Sequence, residues 1–197
     1  MAITISFEAK VLDGLAGELR ARLRGVVDVP PNADARIAEA FTLWQVGETR
    51  RGDSRGLGDL AESQERFHHQ IKIDGKPVAI AITAWTEGRD RLKLLSVIRS
   101  PLAGVVDEAI HVVDGLGVPD TFTARLLVMG SYNVTAFWFV NEVTRPPTYG
   151  QLYVIQGPPA VERMAPGRTV DEDRLLPVLW DLPVIRGWTE GNVAQDE

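Results

Sequence analysis

The sequence predicts an α+β fold: an antiparallel sheet built from two three-stranded meanders and packed by about three main helices. Three observations predict it. From Thr121 to Ile155, three strand-like runs follow one another, TFTARLLVM, YNVTAFWFVNE and YGQLYVIQ, joined by turn residues. Upstream, FHHQIKI and VAIAITAW flank Asp74-Gly75-Lys76-Pro77, and Asp-Gly between β-rich runs marks a hairpin. Apolar residues recur at helical spacing in three further segments, 9–24, 32–46 and 101–114. The two meanders are expected to form one continuous sheet, with a two-layer sandwich as the alternative.

Taken in order, residues 2–8 alternate Ile3, Ile5 and Phe7 with Thr4, Ser6 and Glu8, as a half-buried strand or extended lead-in does. Leu12, Leu15, Ala16, Leu19 and Leu23 give 9–24 an apolar stripe, weakened by Gly14 and Gly17. In 32–46, Asn32 can cap and Gly47 can close a helix. Its Ile37, Ala40, Phe41 and Trp44 recur at i, i+3, i+4 and i+7. Residues 47–66 are polar and read as an exposed loop, with a short helix over 57–66.

The hairpin follows, then a strand over 92–99. Ser100-Pro101 opens a helix whose buried face is Leu102, Val105, Val106, Ala109, Ile110 and Val113. Strands are expected near 122–130, 133–141 and 150–156. Thr169 with Glu172 three residues on has the form of a capping box, and Pro177 limits the helix that follows. The domain is expected to span 1–186, with 187–197 an extended or frayed acidic tail.

Composition narrows the function. The chain has 197 residues and no cysteine, which removes disulfides, thiolate metal sites and cysteine nucleophiles. No apolar run approaches the roughly 20 residues that cross a bilayer, and no basic-then-apolar leader opens the sequence. The expectation is a soluble cytoplasmic protein without membrane association. Charge is uneven: residues 1–100 hold 15 basic and 14 acidic side chains, whereas 101–197 hold 6 and 13. That acidic half argues against a nucleic-acid surface.

Catalytic signatures are sparse. His68 and His69 are adjacent in a strand, so they point to opposite faces and cannot chelate one metal together. One of them, paired with a carboxylate such as Glu87, is the candidate for acid–base chemistry. Asp107, His111 and Asp114 share a helix face, which an ordinary solvated surface explains. Gly56-Leu57-Gly58-Asp59-Leu60-Ala61 lacks the preceding strand that a dinucleotide fingerprint needs. Arg51-Gly52-Asp53 and its arginine neighbours are balanced by acids. No metal or cofactor is expected.

Phe137, Trp138 and Phe139 lie in a run that is apolar on both faces, so both faces need cover. They are candidates for a ligand pocket or a subunit interface, and the second face suggests a homo-oligomer. The functional expectation is a non-catalytic interaction or small-ligand-binding module, with a protein or small molecule as partner. The alternative is a hydrolase or other acid–base enzyme using His68 or His69.

Overall fold

The computed structural model describes residues 4–12, 14–30, 32–49, 55–144, 147–158 and 161–185. The expected tail at 187–197, the Arg51-Gly52-Asp53 tripeptide and the first residues of the lead-in lie outside them. The class is α+β, with eight strands and five α-helices among the described residues. The chain forms two compact units. Of the described residues, one comprises those within 4–42 and 65–108; the other comprises those within 43–64 and 109–185.

In the unit containing residues 4–42, the lead-in is extended, and its Ile5 N–H donates to the Ala40 carbonyl at 2.8 Å. The expected helix over 9–24 is present as two pieces, α1 (Ala9–Leu12) and α2 (Leu15–Leu23), with Gly14 at the start of the second. Leu15, Leu19 and Leu23 are buried, and they pack with Phe67, Ile71, Ala79, Ala81, Leu92 and Leu94.

The helix expected over 32–46 is instead strand β1 (Ala35–Val46). Its Ile, Phe, Thr, Leu, Trp and Val residues suit a pleated surface, and its start is fixed by a non-local pair. Asp34 N–H donates to Asp74 Oδ1, and Asp74 N–H donates to the Asp34 carbonyl, both at 3.0 Å.

Strand β2 (Ala61–Ile73) begins six residues before the expected FHHQIKI run, and the helix expected over 57–66 shrinks to α3 (Leu57–Leu60). Residues 62–66 are polar because that end of the strand is exposed or half-exposed, a strand signal that polarity hides. The Asp74-Gly75 hairpin joins β2 to β3 (Lys76–Trp85), and both turn residues have positive φ, +50° and +80°. That is the backbone twist a two-residue hairpin turn requires. β4 (Leu92–Ile98) completes the order β4-β3-β2-β1. Helix α4 (Leu102–Asp114) starts as expected, with the Ser100 hydroxyl accepting the Leu102 N–H at 3.2 Å.

The other unit carries β5 (Phe122–Met129), β6 (Val134–Asn141), β7 (Thr148–Gln156) and β8 (Thr169–Asp171) in the order β5-β6-β7-β8. The expected all-antiparallel sheet of two three-stranded meanders is therefore incomplete. β1 and β8 are additional, and the pairing is mixed. The neighbours β2–β3, β3–β4, β5–β6, β6–β7 and β7–β8 are antiparallel, so the mixed character enters at β1.

Helix α5 (Glu172–Trp180) is entered through Asp171 rather than through a Thr169 capping box, because Thr169 is still in β8. Pro177 lies inside the helix without ending it. Leu175, Leu176 and Leu179 of α5 cover Val134, Ala136, Trp138 and Val140. All seven residues Val134–Val140 are buried within this single chain. The step from a doubly apolar strand to a second subunit therefore no longer follows.

Two glycines make opposite predictions. A Cβ on Gly157, just after β7, would collide with the Met164 carbonyl, whereas a Cβ on Gly104 inside α4 meets nothing within 4 Å. Gly157→Ala is expected to cost about 1–3 kcal/mol. Gly104→Ala is expected to stabilise by about 0.4–1 kcal/mol. Urea-unfolding midpoints of the two variants check both signs.

Candidate functional site

β2 holds a run of polar residues, His68-His69-Gln70, that the sheet and the elements packed on it enclose. His68 is 3% exposed, and His69 and Gln70 are fully buried. Strand alternation sends the two imidazoles to opposite faces, as expected. His69 packs with Phe7 and Phe67, ring centroids 5.7 and 6.4 Å away, and its Nε2 lies 2.7 Å from the Thr83 hydroxyl. His68 stands edge-on to Phe41. Gln70, two residues along on the His68 face, donates to the Ala103 carbonyl of α4 at 2.9 Å.

Neither imidazole is hydrogen-bonded to Glu87, which is exposed in the β3–β4 turn. Burial drives both rings toward the neutral form: His68 is lowered to about 3, with a further push from His69, and His69 is lowered to about 4. The structure thus does not assemble the acid–base pair that the sequence suggested.

Two residues further along β2, Lys72 reaches out to two carboxylates, Glu39 of β1 at 3.0 Å and Asp107 of α4 at 2.7 Å. Burial alone would lower the Lys72 pKa, but hydrogen bonds to Asp107 and Glu39 outweigh it and raise the value, so the ammonium is held charged. A lysine in that state is an anchor between strand and helix rather than a nucleophile. The expected helix-face group divides accordingly: Asp107 belongs to this ion trio, while His111 and Asp114 are exposed. Among the described residues no group of three or more His, Asp or Glu side chains is placed to hold a metal.

Phe137, Trp138 and Phe139 are buried, at 0%, 0% and 3% exposure. Trp138 donates its indole N–H to Glu172 at 3.4 Å, and burial raises the pKa of that carboxyl. The Arg125 guanidinium stacks 3.9 Å over the Trp44 ring, lies 5.2 Å from that of Trp138, and is paired with Glu142 at 3.0 Å. This is a packed interior with its charge compensated.

A concave feature of the unit containing residues 4–42 lies elsewhere. A surface cleft of about 690 Å³ is floored by Phe7, Phe67 and Trp85. The three rings meet edge to face, with centroids 5.0 Å apart for Phe7–Phe67 and 5.9 Å for each ring with Trp85. Its rim is charged. Glu8 and Lys10 are paired at 2.8 Å, and Arg89 is paired with Glu65 at 3.3 Å. Asp90 accepts the Thr86 hydroxyl at 2.7 Å, a bond that holds its carboxyl below the usual range.

Glu65 and Arg89 both have positive φ, 50° and 51°. Non-glycine residues adopt that conformation at a cost, and such costs gather at functional positions. Phe7, Phe67 and Trp85 were not singled out from sequence. They come from the lead-in, β2 and β3, and no spacing links them. No family model, curated protein or solved structure matches the chain.

The buried rings make stability depend on pH. Unfolded, each histidine takes a proton near its ordinary 6.5; folded, it does so only near 3 or 4. Above that ordinary value neither state is protonated and nothing is lost. Below it, the unfolded chain gains protons the folded chain cannot, and stability should fall by roughly 1.4 kcal/mol per pH unit for each ring. Urea unfolding at about pH 7.5, 6 and 5 measures the slope. His68→Phe should remove about half of it, and a flat profile would contradict the buried neutral pair.

The ion trio yields a second expectation. Lys72→Met strands two partly buried carboxylates and should cost about 1–3 kcal/mol. The triple change Lys72→Met, Glu39→Gln, Asp107→Asn should cost less than the single one, by the same denaturation measurement.

Proposed function

We propose that the chain is a small-ligand-binding module whose site is the Phe7–Phe67–Trp85 cleft. The observation that carries this reading is the aromatic floor. Three large rings gather in one concave surface while Phe7 and Trp85 remain only partly buried. Uncovered apolar surface of this kind, ringed by charge, is characteristic of binding sites, and the volume falls within the range of small-molecule pockets, roughly 300–1,000 Å³.

The chemistry suggests an amphipathic ligand. Its apolar part would lie against the rings, and its polar part would meet a rim that offers both signs of charge. The acid–base alternative has less support, because both imidazoles are enclosed and neutral and neither touches a carboxylate.

The test is a thermal-shift screen of small amphipathic compounds on the wild-type chain and on the Phe7→Ala and Trp85→Ala variants. A compound at 100 times its dissociation constant stabilises by about 2.7 kcal/mol. Affinity should fall at least about tenfold in both variants, since each removes a wall of the cleft. A hit whose shift is unchanged in both variants places the ligand elsewhere and defeats the proposal.

A further inference from the structure

The unit containing residues 109–185 has its own polar pocket, of about 310 Å³, on the outer side of β8 and the first turn of α5. Arg163, Arg168 and Arg174 line it together with Thr169, Glu162 and Asp171. Residues 101–197 contain only six basic side chains against thirteen acidic ones, so half of the cations in an acidic stretch converge on one pocket.

The backbone that presents these arginines is well tied. Arg163 sits in a single 3₁₀ turn, Glu162–Met164, whose Met164 N–H donates to the Val161 carbonyl at 2.8 Å. Arg168 ends the tight turn Ala165-Pro166-Gly167-Arg168, closed by its N–H on the Ala165 carbonyl at 3.2 Å. The proline and a glycine at φ +84° occupy the positions that suit each. That turn is fastened to β7, because Val154 N–H donates to the Arg168 carbonyl and Gly167 N–H to the Val154 carbonyl, both at 2.8 Å. Gly157 lets the 3₁₀ turn approach the sheet backbone directly, through the Met164 carbonyl. Arg174 stands in the first turn of α5.

The charges are under-compensated. Arg168 is paired with Glu162 at 3.2 Å in an exposed bridge. Arg174 lies 3.7 Å from Asp171, whose carboxylate also accepts from Gln151 at 3.1 Å. Arg163 is paired with no carboxylate among the described residues. Two further acids are nearby: Glu172, engaged by the Trp138 indole and the Gly58 backbone, and the exposed Asp173; neither lines the pocket. Three guanidinium groups thus share two carboxylates, in exposed pairs that are weak and readily exchanged. The planar fork of arginine matches the oxygens of phosphate and carboxylate groups two at a time.

We propose that this pocket binds a small, multiply charged oxyanion through Arg163, Arg168 and Arg174, with the Thr169 hydroxyl as a further donor. The proposal is independent of the aromatic cleft, which belongs to the other unit. Its test is a titration of the ¹⁵N-labelled chain with inorganic pyrophosphate, and separately with citrate, at low salt.

Saturable shifts centred on the amides of 162–174 are expected with at least one probe, and the affinity should weaken tenfold or more in Arg163→Ala/Arg168→Ala and again on adding Arg174→Ala. All three side chains are exposed, so the variants should keep the wild-type spectrum elsewhere. Arg20→Ala, an exposed arginine in α2, should leave binding unchanged. Pyrophosphate alone would assign the site to phosphate compounds, citrate alone to polycarboxylates. No saturable shift at 162–174 with either probe, or shifts that survive the triple substitution, would overturn the proposal.

Discussion

All seven residues from Val134 to Val140 are buried, and that constraint organises its unit. A strand apolar on both faces cannot lie at an edge. Its backbone needs partners on both sides and its faces need cover. β5 and β7 supply the partners, and α5 closes over one face with Leu175, Leu176 and Leu179. Trp138 donates its indole N–H to Glu172 at the helix start, whereas the Trp180 indole nitrogen on α5 is buried without a partner. The route of the chain after β7 follows. It turns through the 3₁₀ segment at Glu162–Met164, adds β8 beside β7, and enters α5 over the buried strand.

The unit containing residues 4–42 solves a different problem, that of enclosing polar side chains in a sheet. His69 has Thr83, Gln70 has the Ala103 carbonyl, and Lys72 has two carboxylates. Satisfaction is incomplete, since His68 Nε2, His69 Nδ1, Gln70 Oε1 and Glu39 Oε2 are buried without partners. An apolar strand would pack with less penalty. What the polar run provides is direction, because its hydrogen bonds and ion pairs fix how α4 lies on β2.

Much of this was legible in sequence where the determining contacts are local. Asp74-Gly75 declared its hairpin because positive φ at both turn residues is a property of those two residues. Ser100-Pro101 declared the start of α4 for the same reason. Residues 35–46 misled because Ile37, Ala40, Phe41 and Trp44 fit a helical stripe, while the contacts that settle the matter lie about 40 residues away at Asp74. The polar start of β2 misled because exposed strand residues look like loop. The two pockets were not legible at all. Phe7, Phe67 and Trp85, like Arg163, Arg168 and Arg174, become neighbours only when turns and pairings bring them together, and no periodicity records that.

The mutual hydrogen bonds of Asp34 and Asp74 also bear on the order in which this unit assembles. The β2–β3 hairpin needs a loop of only two residues, so it can close on the microsecond scale. β1 reaches β2 only across the longer connection 47–60, whose closure costs more entropy than the two-residue turn. The hairpin is thus the natural template and β1 the late arrival, with the paired aspartates acting as the clasp that ends the search. In kinetic terms, changes at Asp74-Gly75 should alter the folding rate, whereas changes at Asp34 should act mainly on the rate of unfolding.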